Sequence, residues 1–158
     1  MTKKLDHLLQ AYTHGLVLAG RQWRRAANSV AEPHGLSDAT ALPLILIGRS
    51  ARNPRQNALA EAVGIEGPSL VRLLDQLQAA GLVVRMEDPT DRRAKVLSLT
   101  PEGKRIVTRM EAELNAARAT AFAGIDPADL ETGLRVFNAL QRHVCDMAEG
   151  AIPREAAE

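Results

Sequence analysis

Apolar side chains recur at Leu5, Leu8, Leu9, Tyr12, Leu16, Trp23, Ala27 and Val30, spacings that fall on one face of a long helix. Glu32-Pro33-His34-Gly35 ends that helix, because Pro and Gly punctuate helical runs. Ser37-Asp38 offers an N-cap to a second helix through Leu42, Leu44, Ile45 and Ile47, with Pro43 in its first turns. Gly48 to Pro54 reads as loop. Leu59 and Val63, four apart, mark a short third helix that stops at Gly64, a residue free to take the turn conformation others resist. A fourth helix starts around Gly67-Pro68-Ser69 and buries Leu70, Leu73, Leu74 and Leu77. Ser69, Arg72 and Gln76 then share a different, polar face, and Gly81 ends the run.

The pattern next changes period. Val83 to Met86 and Val96 to Leu99 read as two antiparallel strands, joined by a connection from Glu87 to Lys95 that carries Arg92, Arg93 and Lys95. Thr100-Pro101 restarts a helix, with Ile106, Met110, Leu114 and Ala117 on its apolar face. Glu is wanted at position 103 for a full capping box, and Gly103 stands there. Gly124 to Pro127 breaks the helix. A last one carries Leu130, Leu134, Phe137, Leu140, Val144 and Met147, and Arg154 to Glu158 reads as a frayed tail. These elements predict a mainly α fold with a small β-hairpin. It is a winged helix-turn-helix lobe over 36–100, flanked by helices over 5–35 and 101–150, in one domain spanning 1–158. The flanking helices are long for so small a lobe, and their apolar faces call for a partner surface. A two-fold homodimer supplies it and matches how paired half-sites on DNA are read; the alternative is that the arms fold back on their own lobe.

Composition adds little to this and excludes much. The 158 residues are long enough to bury a core, and with only 3% aromatic residues Leu, Val, Ile and Ala must fill it. A net charge of +1 is too small to argue for nucleic acid, but its distribution is uneven. Arg49 to Arg109 holds 11 Lys/Arg against 7 Asp/Glu, and the chain from Asp126 onward holds 3 against 7. A basic middle and an acidic end suit DNA at one end of the molecule. The single cysteine, Cys145, forms no internal disulfide and reads as an inert thiol between apolar positions. A redox-sensing role for it is the alternative. No signal peptide and no apolar run near the roughly 20 residues of a membrane span is evident, so a cytoplasmic protein with no membrane partner is expected. His7, His14, His34 and His143 are too scattered for a metal site. No cofactor motif, nucleophile motif or acid–base pair is present, so an enzyme is not expected.

One segment carries a resemblance. Leu59-Ala60-Glu61-Ala62-Val63-Gly64-Ile65, then Pro68-Ser69-Leu70-Val71-Arg72 and Leu74-Asp75-Gln76-Leu77, together with Asp91-Arg92-Arg93-Ala94-Lys95, Leu99-Thr100 and Gly103, resemble the MarR family of transcriptional regulators. Arg21, Trp23 and Arg24 echo its SlyA branch, and Ala41 departs from that branch, which has a tryptophan there. The resemblance implies a homodimer whose terminal helices form the interface. It implies binding to near-palindromic promoter DNA as a repressor-type regulator, and release by a small aromatic carboxylate effector.

On that reading Arg72 reads guanine in the major groove, where one bidentate guanidinium contact discriminates by about 1–3 kcal/mol. Pro68 and Ser69 sit at the helix N-terminus, suited to phosphate or base contact, with Gln76 a turn further on. Arg92 is the wing-tip cation for the minor groove. Arg93 and Lys95 contact phosphates or pair with Asp88 and Asp91. Arg85 and Thr100 are structural or phosphate-contacting, with both readings open. Arg21, Trp23 and Arg24 are the candidate effector residues, against the alternative that Trp23 belongs to the core. A remaining alternative is a helical protein-interaction module on a degenerate winged fold.

Overall fold

The computed structural model describes residues 2–88 and 90–150, with the side chains of residues 92, 93 and 145–150 outside the description. Two compact units emerge, Met1–Arg118 and Ala119–Glu158. The elements run α1 (Lys3–Ala31), α2 (Asp38–Arg49), α3 (Gln56–Val63), α4 (Gly67–Ala79), β1 (Val83–Asp88), β2 (Asp91–Leu99), α5 (Pro101–Ala121) and α6 (Pro127–Gly150).

Local chemistry sets the boundaries. A 3-10 turn over Glu32–His34 and Gly35 at φ 72° close α1. Ser37 caps α2 reciprocally with Thr40. The Thr40 N–H donates to Ser37 Oγ at 3.3 Å and the Ser37 N–H donates to Thr40 Oγ1 at 3.0 Å, an arrangement worth about 1 kcal/mol. The loop expected from Gly48 begins later, because Gly48 and Arg49 are still helical. Gly48 is there for a close approach: a Cβ on it would stand 2.9 Å from Val107 Cγ1 and 3.2 Å from Leu99 Cδ1. One turn of α5 away, Arg49 Nε and Nη2 donate to the two carboxylate oxygens of Glu111 at 2.5 and 3.0 Å. That fork, foremost among the causes, holds the Glu111 carboxyl below its usual range.

The core of the first unit is aliphatic. Leu44, Leu59, Leu70, Leu74, Leu77, Val83, Leu97 and Met110 are fully buried, with Trp23, Ala27 and Val30 of α1 packed partly buried against the same cluster. Each buried aliphatic side chain stabilises the fold by about 1.5–3 kcal/mol. Leu73, expected within the stripe of α4, is only half-buried, and α5 turns Val107 inward beside Met110 and Leu114.

The hairpin is longer than its composition indicated. Val83 pairs with Leu99 and the antiparallel register continues to Glu87 opposite Lys95. The register then shifts, so that Asp88 pairs with Asp91 and residues 92–94 are the extra ones on β2. The expected nine-residue connection is therefore mostly strand. A third segment joins the edge: Arg55 bridges Val96, and the Leu97 N–H donates to the Pro54 carbonyl at 3.0 Å.

Thr100 caps α5 by accepting the Gly103 N–H at 3.0 Å while its hydroxyl donates to the Gly81 carbonyl at 2.7 Å. Of its two open readings, the structural one describes this contact. Gly103 packs onto the backbone of Leu82, just before β1, and a Cβ there would overlap the Leu82 carbonyl oxygen.

In the second unit Asp126 caps α6, with its Oδ1 accepting the Ala128 N–H at 2.8 Å. Leu134, Phe137 and Val144 of this helix stay exposed, Leu134 at 60%. In the first unit the N-terminal half of α1 likewise exposes Leu5, Leu8, Leu9 and Tyr12. Among the described residues no helix is long and apolar enough to cross a membrane.

Candidate nucleic-acid interface

The helix-turn-helix is built from α3 and α4. Gly64, at φ 75°, lets its own N–H reach the Ala60 and Glu61 carbonyls and the Ile65 N–H reach Ala60. The chain thus reverses within a few residues. Glu66 precedes α4, Pro68 lies within its first two positions, and no side chain caps its N-terminus. The first-turn amides remain available to an anion.

Past that point α4 is divided lengthwise. Leu70, Leu74 and Leu77 are buried, while Pro68, Ser69, Arg72 and Gln76 are all exposed. The structure brings these four expected residues onto one face. Arg72 makes no ion pair or side-chain hydrogen bond among the described residues, unlike Arg24, Arg49, Arg55, Arg85, Arg105 and Arg118. Its guanidinium is open to solvent on that helix face.

Arg85 resolves the other way. Its Nη1 donates to Asp75 Oδ1 at 2.6 Å and its Nη2 to the Val71 carbonyl at 3.1 Å. It ties β1 to the flank of α4, a structural role.

The hairpin tip is held by a residue that sequence reading passed over. Arg55, just before α3, donates from Nε to Asp88 Oδ2 at 2.7 Å and from Nη2 to Thr90 Oγ1 at 3.3 Å. Asp88 Oδ1 meanwhile accepts the Thr90 hydroxyl at 2.6 Å and the Thr90 N–H at 2.8 Å. Asp-x-Thr after a strand is the sequence signal of such a turn, but nothing in the sequence points to Arg55 as its third member. These contacts hold the Asp88 carboxyl down at about 2 against an ordinary 3.8, the Thr90 hydroxyl contributing most, then the Thr90 N–H and Arg55. A depressed carboxyl contributes order that is present above its ordinary value and lost as pH falls through the folded one. Protection of the Thr90 amide from exchange, taken relative to its intrinsic rate at each pH, is therefore expected to persist at neutral pH and to disappear between about pH 4 and pH 2. A protection factor unchanged across that window would remove Asp88 from the account.

Lys95 pairs with its cross-strand partner Glu87, Nζ to Oε1 at 3.5 Å, and Asp88 is taken by Arg55. Glu87 is the nearer carboxylate because the register places it directly opposite. The Arg92 and Arg93 side chains lie outside the described residues; their backbones belong to the irregular part of β2. The Cys145 side chain also lies outside them.

The effector trio divides. Arg21 and Arg24 line an open groove with Arg25, Asn28, Ser29, Glu32 and Asp38. Trp23 packs toward the core, its ring 5.9 Å from the Arg118 guanidinium carbon. Helix geometry accounts for this, since at 3.6 residues per turn Trp23 points about 200° away from Arg21.

The helical lobe, the exposed α4 face and the hairpin have close counterparts among known proteins. A protein-family model described as the MarR family matches residues 34–94. The structure of the transcriptional regulator PA3341 is 33% identical, with a TM-score of 0.79 over 85% of this chain and 98% of that one. The chain belongs to the MarR family. It is a winged helix-turn-helix, DNA-binding transcriptional regulator, and that family is not one of enzymes. CouR from Rhodococcus jostii RHA1, solved bound to p-coumaroyl-CoA, is 30% identical, with a TM-score of 0.74 over 79% of this chain and 87% of that one. The transcriptional regulator SlyA has a TM-score of 0.78 over 89% of this chain and 99% of that one at 16% identity, a likeness of MarR fold alone.

Proposed function

We propose that this MarR-family regulator binds near-palindromic promoter DNA as a homodimer, and that a small acidic effector releases it. The single observation that carries the DNA-reading part is the exposed α4 face, where Arg72 is open beside Ser69 and Gln76. That face enters the major groove, with the α4 N-terminus and Pro68 against the backbone. The hairpin, braced by Arg55, presents Arg92 to the adjacent minor groove, while Arg93 and Lys95 follow phosphates. Lys95 is poised for this, since its partner Glu87 is solvent-exposed and the pair is weak in water.

The homodimer is supported by the exposed apolar stripes of α1 and α6, which a second copy of the chain covers. The arms over 5–35 and 101–150 are thus the dimerising parts and 36–100 the reading lobe of one functional domain. The effector is supported by the groove at Arg21 and Arg24. Trp23 contributes to that site by holding α1 on the core rather than by stacking on a ligand. Within the family, identity favours a placement nearer PA3341 and CouR than nearer the SlyA branch.

Because phosphate contacts release counterions, affinity for the protein's own promoter region should fall about 1,000-fold or more between roughly 50 and 200 mM salt. Fluorescence anisotropy at a series of salt concentrations measures this. A flat salt dependence contradicts the docking.

A further inference from the structure

The groove on α1 has a chemistry of its own. Arg21, Arg24 and Arg25 stand at i, i+3 and i+4, a spacing at which like charges repel. Asp38 answers one of them, with Arg24 Nε 3.4 Å from its Oδ2. The other lining carboxylate, Glu32, accepts the Asn28 amide at 2.6 Å. Arg21 and Arg25 make no ion pair among the described residues, and both face a depression of about 550 Å³. Its lining side chains are all polar or charged, three of them arginines. Guanidinium forks are matched instead to the oxygens of phosphate groups, each able to take two N–H donors. The depression is open to solvent and larger than one phosphate needs. A relative 30% identical to this chain was solved with a coenzyme A thioester, a ligand that carries several phosphates.

We propose that the Arg21, Arg24 and Arg25 groove binds the phosphates of a coenzyme A thioester, an inference that rests on the effector reading and narrows its ligand class. The position of the groove suggests how occupancy is felt. Asp38 is the first residue of α2, and its N–H donates to Asn28 Oδ1 of α1 at 3.1 Å. A phosphate that takes Arg24 competes with Asp38 and leaves that carboxylate without its partner at the joint between α1 and the reading lobe. The Asn28 contact alone then ties the two helices at that point.

Calorimetry on the full chain without DNA, with coenzyme A as probe, tests the site. Coenzyme A should bind, and Arg21→Ala/Arg25→Ala should weaken it about 10-fold or more. Both side chains are exposed, so the variant should keep the wild-type circular dichroism and melting curve. Inorganic phosphate should bind at least about 10-fold more weakly, as one phosphate meets fewer of the donors. No heat with millimolar coenzyme A, equal binding by the variant, or phosphate binding as tightly as coenzyme A would each overturn the proposal. Release of promoter DNA is read separately. If an acyl thioester of coenzyme A binds through the arginines yet leaves the DNA complex intact, the site stands and the effector reading falls. If that thioester still releases DNA from the Arg21→Ala/Arg25→Ala variant with unchanged potency, the effector reading stands and this site falls.

Discussion

Arg72→Ala should lower affinity for the promoter site about 10- to 100-fold, the weight of one bidentate base contact of about 1–3 kcal/mol. Folding should be untouched. Arg72 is exposed and holds no partner among the described residues, and substitutions at such positions shift stability by about 0.5 kcal/mol or less. Loss at the specific site should exceed loss on unrelated DNA, because a phosphate contact weakens all sequences alike whereas a base contact does not. Arg72→Lys keeps the charge but not the planar fork, so it should recover non-specific binding and leave the specific deficit largely in place. Competition titrations with specific and random duplexes separate these outcomes. A variant with wild-type affinity on both would mean that another part of the surface reads the bases.

Gly103→Ala should be among the most disruptive single-methyl changes in the chain. The new Cβ overlaps the Leu82 carbonyl oxygen, a backbone atom just before β1 that accepts the Thr100 N–H at 3.0 Å. Thr100 cannot give way easily either, because it is bonded to Gly81 and Gly103 at once. Overpacking of this kind costs about 1–3 kcal/mol, and more where backbone must move; the rigid neighbour puts this site at the upper end. Urea denaturation measures it. The contrasting change is Gly20→Ala in α1, where nothing lies within 4 Å. There the gain in helix propensity should stabilise by about 0.5–1 kcal/mol. Equal effects at the two positions would contradict the packing described for Gly103.

The helices were legible because their signals are local. Ser37, Gly64, Thr100 and Asp126 do what their side chains or backbones do wherever they meet a helix end, and the α4 face follows from its period. What escaped the sequence depends on contacts far apart along it. Polar residues in the distal hairpin read as loop, yet their backbones pair, because a bonded Asp88–Thr90 turn and the Arg55 brace close the tip. Position 103 reads as a defective capping box, while its actual constraint is a carbonyl on another element. Arg85 looks like any basic strand residue until α4 is placed beside it. The echo of the SlyA branch groups Trp23 with Arg21 and Arg24, but the helical turn points Trp23 about 200° from Arg21 and packs it toward the core.

The central claim is a two-fold reader whose α4 faces occupy successive major grooves with the hairpins alongside. Hydroxyl-radical and methylation footprinting on the neighbouring intergenic DNA tests it most directly. The account predicts two protected half-sites about 10 base pairs apart, related by a dyad, with guanine N7 protection in each that disappears in Arg72→Ala. A single unpaired footprint, or guanine protection that survives in Arg72→Ala, would contradict it.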